Sequence, residues 1–368
     1  MDQWYHVDGT AGIPTPALLI FPDRIEANLQ RMLNLAGGPD HLRPHVKTHK
    51  MAEIVKLKIL YGISKFKCST LAEAEMVAKC GGKDIMLAMQ PVGPHLDGYF
   101  KLQSFYSGSR FSTLVDSPAV AEQIAAMAAA RKQETDLWLD INNGMDRTGV
   151  LPGKEALLMY QKISRLPFIR PRGLHVYDGH IHERDIHERK KICERDFQSV
   201  NTLIGDIRHA GYEVPVIVAG GTPTFPVHAH RRNTETSPGT CVLWDSGYQN
   251  NFPDLDFLPA AVLLTRVVSK PNRNLLCLDL GHKAIAAEMP HPRITLLDIP
   301  VSRFVNHSEE HLVIETDASE QWNPGDALYG IPWHICPTVP RYKSAYIIRN
   351  ARVSGEWQID ARDRMITL

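Results

Sequence analysis

Between residues 42 and 240 the chain repeats one unit: a short apolar or alternating run, a turn, and a stretch whose apolar positions recur every three to four residues. The runs at 43–48, 65–69, 85–90, 111–115, 137–141, 173–177, 216–219 and 235–238 read as eight strands. The segments 71–80, 119–132 and 192–210 carry the helical period, the second rich in alanine and the third long enough for several turns. Eight alternating β and α units predict a (β/α)8 TIM-like barrel, and an open doubly wound sheet shares the same periodicity. Beyond residue 258 the texture changes to short β-rich runs at 261–269, 275–280, 312–316, 345–348 and 357–359, broken by Pro, Gly, Asn and Asp. The pattern therefore predicts an α/β barrel over 22–257 and a β-rich domain over 258–368, with 1–21 pairing back into the latter through the run 16–21.

Composition narrows the function classes. Lys plus Arg equals Asp plus Glu at 41 each, and the charges are interspersed. With no basic stripe, neither nucleic acid nor anionic lipid is an expected partner, and small molecules are. No apolar run reaches membrane length, and the first residues lack a charged segment leading into an apolar one, so a cytoplasmic protein without membrane contact is expected. The six cysteines are scattered without a CxxC pair, which reads as reduced thiols.

In a (β/α)8 barrel the active site lies at the C-terminal ends of the strands, so the residues closing each strand come first. Lys47 closes the first, within Arg43-Pro44-His45-Val46-Lys47-Thr48-His49-Lys50. Cationic neighbours and burial both favour a neutral amine, the form that attacks an aldehyde; a solvated basic turn explains the octet as well. Gly220-Gly221-Thr222-Pro223-Thr224 follows the seventh run, where backbone N–H groups can approach a phosphate, although most such turns are only turns. Arg147, after Asn142-Asn143-Gly144, can sit beneath a cofactor ring or in a surface salt bridge. The sixth run ends in His175-Val176-Tyr177-Asp178-Gly179-His180-Ile181-His182, dense in acid/base groups. In Pro332-Trp333-His334-Ile335-Cys336-Pro337, positions i and i+2 project to one side, so His334 and Cys336 can share a metal ion; a buried cysteine beside a strand histidine is the plainer alternative. Imidazole plus thiolate favours zinc over magnesium, with manganese also compatible.

Taken in order, Arg43–His49, Arg147-Thr148-Gly149, Gly173-Leu174-His175, Gly220–Thr224, Ser237-Pro238-Gly239-Thr240 and His334–Thr338 resemble the family of D-threonine aldolases and D-serine dehydratases. These are pyridoxal-phosphate (PLP) enzymes with an alanine-racemase-type barrel and a C-terminal β-domain. The resemblance implies PLP as a Schiff base on Lys47, Arg147 at the pyridine nitrogen, Tyr177 among the cofactor contacts, and the Gly220, Gly221 and Thr222 turn at the phosphate. It implies a divalent metal (Zn, Mn or Mg) on His334 and Cys336, and a homodimer. Cys241 departs from the tyrosine frequent in the family.

The expected activity is that of a lyase on a β-hydroxy-D-amino acid, with retro-aldol cleavage of a D-threonine-type substrate to glycine and an aldehyde. His180 or His182 is the candidate base for the hydroxyl proton. Dehydration of a D-serine or D-threo-3-hydroxyaspartate type of substrate to an oxo acid and ammonia uses the same residues. A PLP-binding protein without turnover is the alternative of another class; a racemase would not need the His-x-Cys pair.

Overall fold

The computed structural model describes residues 3–368. Strand β1 (Ala17–Ile20) is followed by a seven-stranded parallel sheet in sequential order: β2 (Lys65–Cys68), β3 (Asp84–Leu87), β4 (Arg110–Val115), β5 (Thr135–Ile141), β6 (Ile169–Val176), β7 (Val216–Ala219) and β8 (Thr234–Thr236). Helices follow most of these strands, the longest being Ile186–His209. The sheet is the barrel anticipated from the alternation, with one correction at the first strand.

Residues 43–48 are not a strand. Leu42 bridges Thr236 at one edge of the sheet, and His45 bridges Lys67 at the other. The backbone of 43–46 donates to Thr236 and Pro238 on one side and exchanges two hydrogen bonds with the Lys67 peptide on the other. This segment thus closes the barrel, but Pro44 has no N–H to donate, so no continuous ladder forms.

The inner face is layered because alternate residues of a strand share a side. Along β5 these are Asp136, Trp138 and Asp140. Trp138 joins Met86, Leu114 and Val218 in an apolar layer. Toward the strands' N-terminal ends stands a ring of ions. There Arg43 binds Glu235 and Asp84 at 2.7 Å each, Lys65 binds Glu235 at 2.7 Å, and Arg172 binds Asp84 at 3.0 Å. Toward the C-terminal ends lie Lys67, Asp140 and His175, described below.

The remaining strands are β9 (Ala261–Asn272), β10 (Leu275–Leu278), β11 (Ile294–Leu296), β12 (Arg303–His307), β13 (Leu312–Glu315), β14 (Ala327–Pro332), β15 (Ser344–Arg349) and β16 (Arg352–Gln358). They order as β12-β13-β10-β9-β1-β15-β16, with β14 also on β9 and β11 on β14. β1 runs antiparallel to β9 and parallel to β15. Ala17, Leu19 and Phe21, with the period of a strand, pack with Val262, Leu264, Tyr329, Ile331 and Ile348. Strands β11, β12 and β14 were not foreseen, being short or interrupted by glycine and proline.

The chain forms two compact units. One comprises the described residues up to Arg31, Thr48–Glu53 and Thr240–Arg362; the other Met32–Lys47, Ile54–Gly239 and Asp363–Leu368. No helix among the described residues is long and apolar enough to cross a membrane.

Candidate active site

Tyr177, one residue past β6, is the hub of the barrel's C-terminal end. The Arg147 guanidinium carbon lies 5.0 Å and the Lys67 Nζ 5.2 Å from its ring centre. Lys67 is buried, with its Nζ 2.7 Å from His175 Nε2. His175 Nδ1 in turn lies 2.6 Å from Asp140 Oδ1. Burial would raise the Asp140 pKa, but His175, Thr148 and Lys67 together outweigh it and hold the group below the usual carboxylate range. Asp140 therefore accepts from Nδ1–H, and Nε2 turns its lone pair to Lys67. Burial foremost, then the charge of Lys47, depresses the Lys67 pKa to about 7. Lys47 is half-buried, its backbone N–H donating to His45 Nδ1 at 3.2 Å.

The Gly220–Thr222 turn adjoins the same tyrosine. Gly220 has φ +78°, a left-handed conformation that glycine adopts without strain, and a Cβ on Gly221 would come within 3.1 Å of the Tyr177 ring. Thr222 Oγ1 accepts from the Gly239 N–H at 3.1 Å, tying the turn to the segment after β8. In that segment Ser237 Oγ is buried without a hydrogen-bond partner, a vacancy suited to a phosphate oxygen. The Gly221 N–H is already engaged by Thr224 Oγ1 at 3.1 Å, so this turn does not offer every amide that the sequence suggested.

Beneath the turn, Asp178 accepts from Thr224 Oγ1 and His228 Nε2, both at 2.7 Å, and Arg231 donates to His228 Nδ1 at 3.1 Å. Asp178, Cys193 and His228 have ligand atoms within 4.8 Å of one another, the spacing of a metal cluster. Their chemistry argues for a buttress instead. Both imidazole nitrogens are committed, and burial pushes the Cys193 thiol up to about 12, away from the thiolate that a metal requires.

The two candidate histidines separate clearly. His182 is exposed on the loop before the helix Ile186–His209. His180 packs on Gly144, and its Nε2 lies 3.3 Å from Asp196 Oδ2. Its Nδ1 is buried and has no partner. With Nε2–H donated to the carboxylate, Nδ1 keeps a lone pair that no group of the protein engages.

In the β-rich unit, His334 and Cys336 follow β14 and their side chains hydrogen-bond each other. Burial lowers the imidazolium pKa, but Cys336, Glu288 and Asp245 more than offset it, lifting His334 to about 9. Glu288 Oε1 lies 2.6 Å from Nδ1, the carboxylate–histidine arrangement that orients metal-binding imidazoles. Thr48 Oγ1 and Thr240 Oγ1 lie 3.1 and 3.4 Å from Cys336 Sγ. Buried Asp245 accepts the Ile335 N–H at 2.9 Å and fixes the loop. The pair converges as a two-ligand site would.

Sequence reasoning missed Lys67, Asp140, Ser237 and Asp196 as participants. Their partners lie 16 to 108 residues away in sequence where contacts exist, and nothing local marks them.

Comparison with known proteins agrees with this architecture. Residues 20–246 match the alanine racemase N-terminal domain, and residues 260–348 match a serine dehydratase domain. The D-threonine aldolase of Arthrobacter sp is 28% identical over 361 residues, covering 96% of this chain and 94% of that protein. The D-threo-3-hydroxyaspartate dehydratase of Delftia sp. (strain HT23) is 28% identical over 284 residues, covering 75% of this chain and 73% of that protein. The crystal structure of D-threonine aldolase from Filomicrobium marinum superposes with a TM-score of 0.88 at 26% identity, covering 96% of both chains. A barrel with this lysine end, followed by this β-rich unit, places the chain in the alanine racemase N-terminal domain family, in the form that carries a serine dehydratase domain.

Proposed function

We propose that the protein is a PLP- and divalent-metal-dependent lyase that cleaves D-threonine-type β-hydroxy-D-amino acids to glycine and an aldehyde. The observation that carries this is the Tyr177 hub. Its ring adjoins Gly221 of the turn and has Arg147 and Lys67 about 5 Å away, Lys67 being the buried lysine that feels the charge of Lys47. The orphaned Ser237 hydroxyl and the side-chain-free Gly220–Gly221 cradle fit a phosphate, and the half-buried Lys47 amine fits an aldehyde.

In this assignment Lys47 would hold the cofactor covalently, Arg147 and Tyr177 would contact its ring, and Gly220, Gly221, Thr222 and Ser237 would bind its phosphate. When bound, PLP supplies the electron sink for a carbanion at Cα. His180, its Nε2–H given to Asp196, takes the substrate's hydroxyl proton on Nδ1. His334 and Cys336 would hold the divalent ion, with Glu288 fixing the orientation of the imidazole. That ion would act as a Lewis acid on a β-hydroxyl. The thiolate favours zinc, with manganese and magnesium as alternatives.

The Delftia relative, a dehydratase of the same 28% identity, supports dehydration as the second reading. Incubation with D-threonine and with D-serine decides. Glycine and acetaldehyde, abolished by EDTA and restored by metal, are expected; oxo acid and ammonia with no aldehyde would replace the aldolase by the dehydratase. No turnover of either, with PLP bound, would leave a cofactor-binding protein.

A further inference from the structure

In Lys65-Phe66-Lys67-Cys68 the period of a strand turns Lys65 and Lys67 to the same face, and Lys67 is only 4% exposed. A buried lysine ordinarily faces a carboxylate; the group 2.7 Å from this one is an imidazole. We propose that Lys67, His175 and Asp140 form a relay sharing one proton inside the barrel mouth, so that Lys67 is a positioning residue setting the charge that bound PLP meets. This rests on the assignment of PLP to Lys47.

The relay balances without any other reactant. A Lys67 ammonium donates to His175 Nε2, and moving that proton across leaves a neutral amine and an imidazolium. Asp140 stays ionised and keeps Nδ1–H throughout. Burial opposes charge at both sites: the lysine is depressed to about 7 and the imidazole is depressed as well.

The groups facing Lys67 come from each neighbouring element. Lys47 comes from the segment that closes the barrel, Asp140 from β5, Arg147 from the loop after it, and His175, Tyr177 and Asp178 from β6 and its end. With PLP on Lys47 that lysine is no longer a free ammonium, so Arg147 and the relay face the two carboxylates, Asp140 and Asp178, and the proton on the relay changes the charge of the mouth.

The test uses the PLP-loaded protein and its absorption spectrum from about pH 6 to about pH 9. The wild type is expected to show a spectral titration in this range that Lys67→Met removes. Lys67→Arg, a permanent cation, keeps PLP bound and also loses the titration, while His175→Asn shifts its midpoint. A wild-type titration that persists in Lys67→Met would overturn the proposal. A second readout needs no cofactor: thermal melting of the apoprotein. Wild type should be least stable relative to Lys67→Met near pH 7, with the gap closing toward pH 10; a gap constant with pH would also overturn the relay. Absence of any PLP band, with the closing gap still seen, would refute the cofactor assignment and leave the relay standing.

Discussion

Two clusters of buried charge lie on the inner face of one barrel, at opposite ends of its strands, and they are built on opposite rules. At the N-terminal end, Arg43 is wholly buried yet bridges Glu235 and Asp84, while Lys65 and Arg172 bind the same two carboxylates. Burial would lower the Arg43 pKa, but the two carboxylates more than offset it and hold the group charged; Asp84 is likewise kept below the usual carboxylate range. At the C-terminal end Lys67 meets an imidazole, His180 Nδ1 meets nothing, and Ser237 Oγ meets nothing. Arg43 Nη2 and Arg172 Nε at the floor also lack a hydrogen-bond partner, so orphaned atoms alone do not separate the two ends; what separates them is that the buried cations of the floor meet carboxylates, whereas the buried lysine of the mouth meets an imidazole.

The largest effect expected from breaking this contrast is at Lys47. Lys47→Ala should lose covalent PLP, seen as loss of a borohydride-reducible chromophore, and turnover should fall to the detection limit. The fold should survive, because Lys47 is half-buried and belongs to no ion pair of the floor. Full activity in Lys47→Ala would move the Schiff base to another lysine, with Lys67 the first suspect.

His180→Asn should lower kcat by about 10²- to 10⁴-fold, the range of a missing general base. The exposed His182, two residues on, should tolerate the same change within a factor of about two, since surface changes are usually small. Equal losses at both positions would sink the distinction drawn from the orphaned Nδ1.

Arg43→Met attacks the other end. It removes the buried guanidinium that bridges Glu235 and Asp84 beneath Trp138; the two carboxylates keep Lys65 and Arg172, so the loss should approach but not exceed the about 3–5 kcal/mol of a buried pair broken outright. Urea unfolding should report that loss, while the folded fraction keeps the kcat of wild type. A fall in kcat with unchanged stability would make the floor part of the site.

The barrel itself was legible because alternation and helical period are local. Strands β2 to β8 fall where the pattern predicts, within a few residues at their ends. The first strand was misjudged because Arg43-Pro44-His45-Val46 has an extended look but lacks one donor, and only closure of the sheet on both sides shows what it does. Of the candidate site, the His334/Cys336 pair and the Gly220–Thr222 turn could be picked out as candidates because each is a short motif. It was illegible where the third dimension supplies the partner. Lys-Phe-Lys-Cys reads as an ordinary amphipathic strand, and nothing local says that its polar face points into a barrel. Nor does anything near His180 reveal that Asp196, on the following helix, is the hydrogen-bond partner of its Nε2.

The smallest effect carries the sharpest form of the comparison, because Lys65 and Lys67 lie two residues apart on one strand, on the same face. For Lys67 the folded pKa, about 7, lies below the unfolded value of about 10.4, so folding expels a proton between these values. Its cost is fully present below about pH 7 and vanishes above about pH 10, and Lys67→Met should therefore stabilise the apoprotein most at the lower pH. Lys65→Met should do the reverse. It removes a cation from Glu235, which keeps Arg43 as its other partner, so the loss should be about 1 kcal/mol, the scale of a partly exposed pair. That loss should not follow the pH profile of the Lys67 variant, because the partner of Lys65 is a carboxylate. If the two methionine variants instead shared one pH profile, the floor and the mouth would be a single electrostatic unit, and the division of the barrel into a paired end and an expectant end would fail.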